Sequence, residues 1–339
     1  MTWNELRGVA LAAAGGVLIA ACGGSGGGSS GGSNLNIAFL PKQVNNPYFD
    51  TAASGGQEAA RALGGQFKQV GPSEASGSAQ VPYIQTLTQQ HVSAIVVSAD
   101  DPDAIAPALK QAMQKGIKVV GYDSSPAPDA RNLFINQADL QGIGQNQIKL
   151  ICDEIPGCSG QIGIVSATST ATNQNAWINF MQQTLQSNPQ YANLKLVKTV
   201  YGNDDPQTSV TVTQGLLQAY PDLKGIIAPT TVGIAAAAQV LEQTGKAGKV
   251  ALTGLGTPNN MKKYVKDGTA KEFALWNVKD LGYLSYYIAG LLAQGKIKGN
   301  TGEKFTAGRL GSYTIGTDGV VVLGPPFTFN ASNIDQFNF

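Results

Sequence analysis

"SAIVVSADDPDAIAPALKQAMQKGIKVVGYDSS", Ser93–Ser125, decides the fold. "SAIVVSA" is a short apolar run with β-branched residues and reads as a strand. "PDAIAPALKQAMQKG" follows as a helix, with Pro102 near its first turn, where a missing N–H does no harm. "IKVVGYDS" is a second strand. A strand, a helix of ten or more residues and another strand make a βαβ unit, and such units build parallel sheets.

The same alternation extends both ways. Upstream, "LNIAFL" and "QFKQV" are strands, with "PYFDTAASGGQEAARALGG" between them. In that helix Phe49, Ala53, Gly56, Ala60 and Leu63 recur at spacings of four and three, which marks one face. The Gly pair at its end suits a left-handed cap. "QVPYIQTLTQQ" is a further helix. Downstream, "NLFINQ" leads to a helix from about Asp139. "QIGIVSA", "LKLVKTVYG", "GIIAPT", "VALTGLG" and "EFALWN" are strands with helical stretches between them. These are too many units for one small sheet, and 339 residues suffice for two domains. The expectation is an α/β chain of two doubly wound lobes. The last segment, from "FTAGRLGSYTIG" onward, reads as short strands and a closing tail.

The N-terminus differs. Residues 1–22, "MTWNELRGVALAAAGGVLIAAC", carry one Arg and then an uncharged apolar run, Gly8 to Ala21. The run is shorter than a membrane span and fits a signal-peptide core. Small residues before Cys22 resemble a bacterial lipobox, in which the Cys becomes lipidated. Residues 23–34 are a Gly/Ser tether. The alternative is an ordinary secretory signal with a disordered tail. Either way the chain is exported. Cys152 and Cys158, in "CDEIPGC", are then either a small disulfide or two thiols.

Charged residues make up 13% and the net charge is +1, which offers no nucleic-acid surface. The single His, His91, ends a predicted helix. That excludes a His-rich metal site, and no P-loop or dinucleotide fingerprint is present. No cofactor or metal is expected.

In open parallel sheets ligands bind beyond the carboxyl ends of strands. Those ends here read "PKQVNNPYF", "DSS", "STATNQNAW", "PTTVG", "LGTPNN" and "WN". They hold amides, hydroxyls, one Lys, aromatics and one carboxylate, Asp123. Hydroxyl ligands both donate and accept, and aromatic faces cover a sugar's C–H side. Each residue also has a plainer role open to it. Thr172 or Asn173 could cap a helix, Pro229 could end a strand and Trp177 could be core.

These motifs resemble the sugar-type periplasmic binding proteins of ABC importers, across nearly everything after the tether. "PTTVG", "TNQNAWI", "TGLGTPNNM", "KEFALWN", "DLGY", "AGRLG" and "NASNIDQF" are most similar to rhamnose-binding proteins. "FLPKQVNNPYF", Gly71-Pro72 and "FINQ" are closer to autoinducer-2 receptors. The resemblance implies a type I periplasmic binding protein fold with a three-stranded hinge. The lobes would be residues 35–125 with 278–306, and 126–277 with 307–339, with crossovers near "SSPAPD", Asn277 and Gly308. Ligand contacts would fall on Lys42, Asn46, Tyr48, Asp123, Asn173, Gln174, Trp177, Pro229, Thr230, Thr231, Trp276 and Asn277. Autoinducer-2 receptors carry Asp and Ala where Asn173 and Thr231 stand, and ribose-type relatives carry Asp near Leu255. These departures put rhamnose or another deoxyhexose first, with Lys42 keeping autoinducer-2 second. The implied partners are a small sugar, ABC permease subunits and the membrane through Cys22, for a monomer that is not an enzyme. A sugar-responsive regulator core would need a helix-turn-helix where the lipobox stands. An exported sugar enzyme would need more His and paired acids than the strand ends supply.

Overall fold

The computed structural model describes residues 35–339. The expected signal segment, Cys22 and the tether lie outside the described residues. Strands and helices alternate as β1 (Asn36–Leu40), α1 (Pro47–Leu63), β2 (Gln66–Gln69), α2 (Gly77–Gln89), β3 (Ala94–Val97), α3 (Pro102–Gln114), β4 (Lys118–Tyr122) and β5 (Leu133–Asn136). Next come α4 (Leu140–Glu154), β6 (Gly160–Ser166), α5 (Thr172–Ser187), β7 (Leu194–Tyr201), α6 (Pro206–Ala219), β8 (Leu223–Ala228), α7 (Thr231–Gln243), β9 (Ala251–Gly254), α8 (Pro258–Lys266) and β10 (Glu272–Leu275). The chain closes with α9 (Val278–Ala293), β11 (Lys304–Thr306), β12 (Ser312–Thr314), β13 (Val320–Val322) and β14 (Phe327–Asn330).

The Ser93–Ser125 unit forms as read. β3 is wholly buried and pairs in parallel with β4, Ala94 facing Lys118 and Val97 facing Gly121. Asp101 caps α3 by accepting from the Asp103 and Ala104 amides, with Pro102 in the first turn. The first sheet runs β2-β1-β3-β4-β5-β13, parallel throughout. The second runs β7-β6-β8-β9. A parallel bridge from Leu255 to Ala274 links β9 to β10, and β14 adds antiparallel to β10. Both sheets reverse strand order beside their first strand, the switch point that opens a crevice at the carboxyl ends.

Helix α9 lies against α1 on the first sheet. The two backbones touch there. A Cβ at Gly55 would overlap the Lys279 carbonyl, and one at Gly282 would overlap that of Ala52. Arg309, after β11, pairs with Glu58 of α1 and Asp280 of α9, so this hairpin region stays with the first lobe.

That placement corrects two expected crossovers and the lobe limits. The chain does not leave the first lobe near "SSPAPD" or Gly308. Residues 128–130 form a short 3-10 turn and the chain re-enters the same sheet as β5, beside β4. β13 then pairs with β5, with Val320 opposite Phe134. Residues 126–136 and 307–322 therefore belong with the first sheet. The lobes are joined at 137–139, at 276–277 and at 323–326.

Cys152 and Cys158 are disulfide-bonded, their Cα atoms 4.6 Å apart, at the end of α4. His91 is exposed just past α2 with φ +51°. Among the described residues no helix is long and apolar enough to cross a membrane.

Candidate functional site

The two crevices face each other and enclose one cavity. Its walls come from the carboxyl ends of strands in both sheets: Lys42 after β1, Asp123 after β4, Pro229 and Thr230 after β8, Leu255 after β9 and Trp276 after β10. Asn46, Tyr48 and Phe49 enter at the start of α1, Gln174 and Trp177 at the start of α5, and Thr231 at the start of α7. Asp204, after β7, and Leu275 complete the lining. Empty space among these atoms, open solvent included, is about 340 Å³.

Local sequence explains several of these positions. Asn46 accepts from the Tyr48 amide and so caps α1 while its residue faces the cavity. The polar run at Thr172–Asn175 is not a cap: Ala171 holds the N-cap position of α5 without a side-chain bond. The Asn173 Oδ1 accepts from the Gln174 amide at 2.9 Å, and both side chains also reach across the cleft to Lys42. Asp123 sits at φ +58° and Asp204 at φ +50°, left-handed positions that Asp tolerates better than most residues.

A buried network ties the floor together. The Asp123 Oδ1 accepts from the Tyr48 hydroxyl at 3.1 Å and the Asn173 amide at 3.1 Å. Its Oδ2 accepts from Ser98 at 2.7 Å and lies 3.8 Å from the Lys42 ammonium. Lys42 donates to Asn173 and to Gln174, each at 3.2 Å, and is 1% exposed. The Trp276 indole donates to the Tyr48 hydroxyl at 3.1 Å. Burial, then the Asp123 charge, pushes the Tyr48 phenol well above its usual range, so it stays a neutral donor. Trp276 stands edge-on to Tyr48, with ring centroids 6.1 Å apart, and packs beside Trp177 at 5.8 Å. The buried Trp177 Nε1 has no hydrogen-bond partner among the described residues.

Of the twelve residues expected to contact ligand, ten line this cavity. Asn173 stands just behind, orienting Lys42 and Asp123. Asn277 is a correction: it is exposed and caps α9 by accepting from the Asp280 amide, because the chain has already turned away from the cleft. Asp123 is also not the only strand-end carboxylate. Asp204 is 7% exposed and its carboxylate accepts from the Thr230 hydroxyl. Burial raises its pKa above the ordinary carboxyl range, against the pull of Lys42 and Thr230. Asp100, after β3, is buried, accepts from Thr168 at 3.0 Å, and is shifted upward by the same desolvation. Phe49, Leu255 and Leu275 were likewise not anticipated. "YGNDDP" after β7 and "SADDPD" after β3 carried the signal, as acidic residues beyond strand ends.

A family model for the periplasmic binding protein domain matches residues 37–297. The chain belongs to the periplasmic binding proteins. Its sheets and lobes have the type I form of that fold. A sugar ABC transporter structure from Actinomyces odontolyticus is 49% identical, covering 91% of this chain and 98% of its own, with a TM-score of 0.72. An ABC transporter solute-binding protein from Clostridium phytofermentas with bound L-rhamnose is 38% identical over 90% of this chain and 98% of its own, TM-score 0.86. LsrB from Clostridium saccharobutylicum in complex with AI-2 is 25% identical over 89% of this chain and 99% of its own, TM-score 0.85.

This periplasmic binding protein has its lobes bonded to each other across the cleft. Besides the Lys42 and Asp123 contacts to Asn173, Thr170 donates to the Asp100 carbonyl at 2.9 Å. Ser124 meets Thr172 at 3.0 Å, and the Gln43 amide donates to the Asp204 carbonyl at 2.9 Å. The arrangement is a closed one, in which a ligand would be surrounded by polar groups and indole rings.

Proposed function

We propose that the protein captures a small neutral sugar, with rhamnose or another deoxyhexose first, and presents it to an ABC permease. The observation that carries this is the cavity wall itself. It brings carboxylate, amide, hydroxyl and ammonium groups together with Trp177 and Trp276, and the buried Trp177 N–H has no partner among the described residues. A buried unpaired donor costs about 1–3 kcal/mol, and a ligand hydroxyl that accepts from it removes that penalty. The apolar wall of Leu255, Leu275 and the indoles suits a ring that carries a methyl in place of one hydroxyl. The relative with bound L-rhamnose supports the order of preference.

Autoinducer-2 is the second reading, favoured by Lys42 in the cavity and by the AI-2-bound relative. Calorimetry on ligand-stripped protein with L-rhamnose, L-fucose, D-ribose and AI-2 separates the two. Tight L-rhamnose or L-fucose binding is the expected result, AI-2 binding alone would select the second reading, and no binding would end both. Cys22 is proposed as the lipid anchor that holds the protein at the outer face of the membrane. Wild type should then fractionate with membranes and Cys22→Ser should not; a soluble wild type rules the anchor out.

A further inference from the structure

The two carboxylates of the cavity differ in how many acceptor sites the protein already uses. A carboxylate offers about four lone-pair positions. Asp123 accepts from Tyr48, Asn173 and Ser98, with Lys42 beside it. Asp204 accepts only from the Thr230 hydroxyl among the described residues. Both are buried and both line the same space, one from each lobe.

We propose that Asp204 is a specificity-determining ligand contact of the second lobe, its carboxylate accepting from a ring hydroxyl that Asp123 cannot serve. Asp123 then acts chiefly as the anchor of the first-lobe network. The cleft thereby requires a hydroxyl donor at the ring position facing the second lobe, and an anion there meets a like charge. This inference rests on the sugar reading above.

Proton linkage supplies an independent handle. Lys42, Asp123 and Asp100 surround Asp204 electrostatically, Thr230 bonds to it, and Glu74, Asp205 and Tyr264 border the grooves outside it. Burial raises the Asp204 carboxyl above its ordinary value. A hydroxyl that donates to the ionised form lowers that raised value again, so binding releases a proton over the pH range between the free and the bound pKa. Affinity correspondingly rises with pH through that range.

The test is calorimetry at a series of pH values from about 4 to 8, in buffers of different ionisation enthalpy, with whichever of L-rhamnose, L-fucose, D-ribose and AI-2 wild type binds. Asp204→Asn should weaken binding roughly ten- to a hundredfold and abolish the proton release. Asp100→Asn should keep the release. Equal affinity of Asp204→Asn and wild type at pH 7 overturns the proposal while the sugar reading stands. Should Asp204→Asn fail to fold, wild type and Asp100→Asn decide alone, and absence of proton release at every pH tested overturns it. Failure of wild type to bind any of the four ends the sugar reading and this proposal together.

Discussion

At the scale of single residues, the cavity follows from where strands end. Lys42, Asp123, Thr230 and Trp276 were legible because each stands one or two residues past a strand end, and Gln174 and Trp177 because they open the helix that follows β6. Asp204 carries the same strand-end signal, three residues past β7, but its entry into the cavity depends on consecutive left-handed residues, Asn203 at φ +55° and Asp204 at φ +50°. Sequence spacing does not display that turn. Asn277 failed for the opposite reason, since adjacency to Trp276 says nothing of direction. Two substitutions probe the network. Asp123→Ala leaves the donors of Tyr48, Asn173 and Ser98 without an acceptor. It should lower affinity at least tenfold in calorimetry and also lower the melting temperature. Trp177→Phe keeps a ring beside Trp276 but removes the unpaired N–H. Affinity should fall several-fold in calorimetry; unaltered affinity would show that this N–H meets no ligand.

At the scale of elements, alternating strands and helices were plain from the apolar runs and their Gly and Pro boundaries. The order of strands within a sheet was not. "PAPD" reads as a break between lobes, yet residues 128–130 only reverse the chain before β5 rejoins β4. Pairing of β13 with β5 brings together segments nearly two hundred residues apart, and short apolar runs carry no label for their partner. The end of α4 carries a titration that follows from its packing. Glu154 is half-buried beside β10, and desolvation pushes its carboxyl up to about 7 from an ordinary 4.5. The folded state then binds this proton more tightly than the unfolded chain. Its contribution to stability is complete below about pH 4.5 and is lost as pH rises through 7. Thermal melts of wild type should therefore fall between pH 5 and 8 more steeply than those of Glu154→Gln. Parallel curves would remove Glu154 as the cause.

At the scale of the whole molecule, three short connections at 137–139, 276–277 and 323–326 are the covalent links between the lobes. Hinge motion there would break the contacts of Gln43, Asp100 and Ser124 across the cleft and open the cavity. Small-angle scattering should show a smaller radius of gyration with saturating ligand than without. An unchanged profile would mean that closure does not depend on ligand.

The last twenty residues hold a different consequence of that threading. Neither lobe is a continuous piece of chain. The first sheet lacks its edge strand until Val320–Val322 arrives, and the second lacks its own until Phe327–Asn330 arrives. A polypeptide emerging from its N-terminus therefore cannot finish either half on its own. Both sheets receive their last strand from the same final stretch, so the edges of the two halves are completed together.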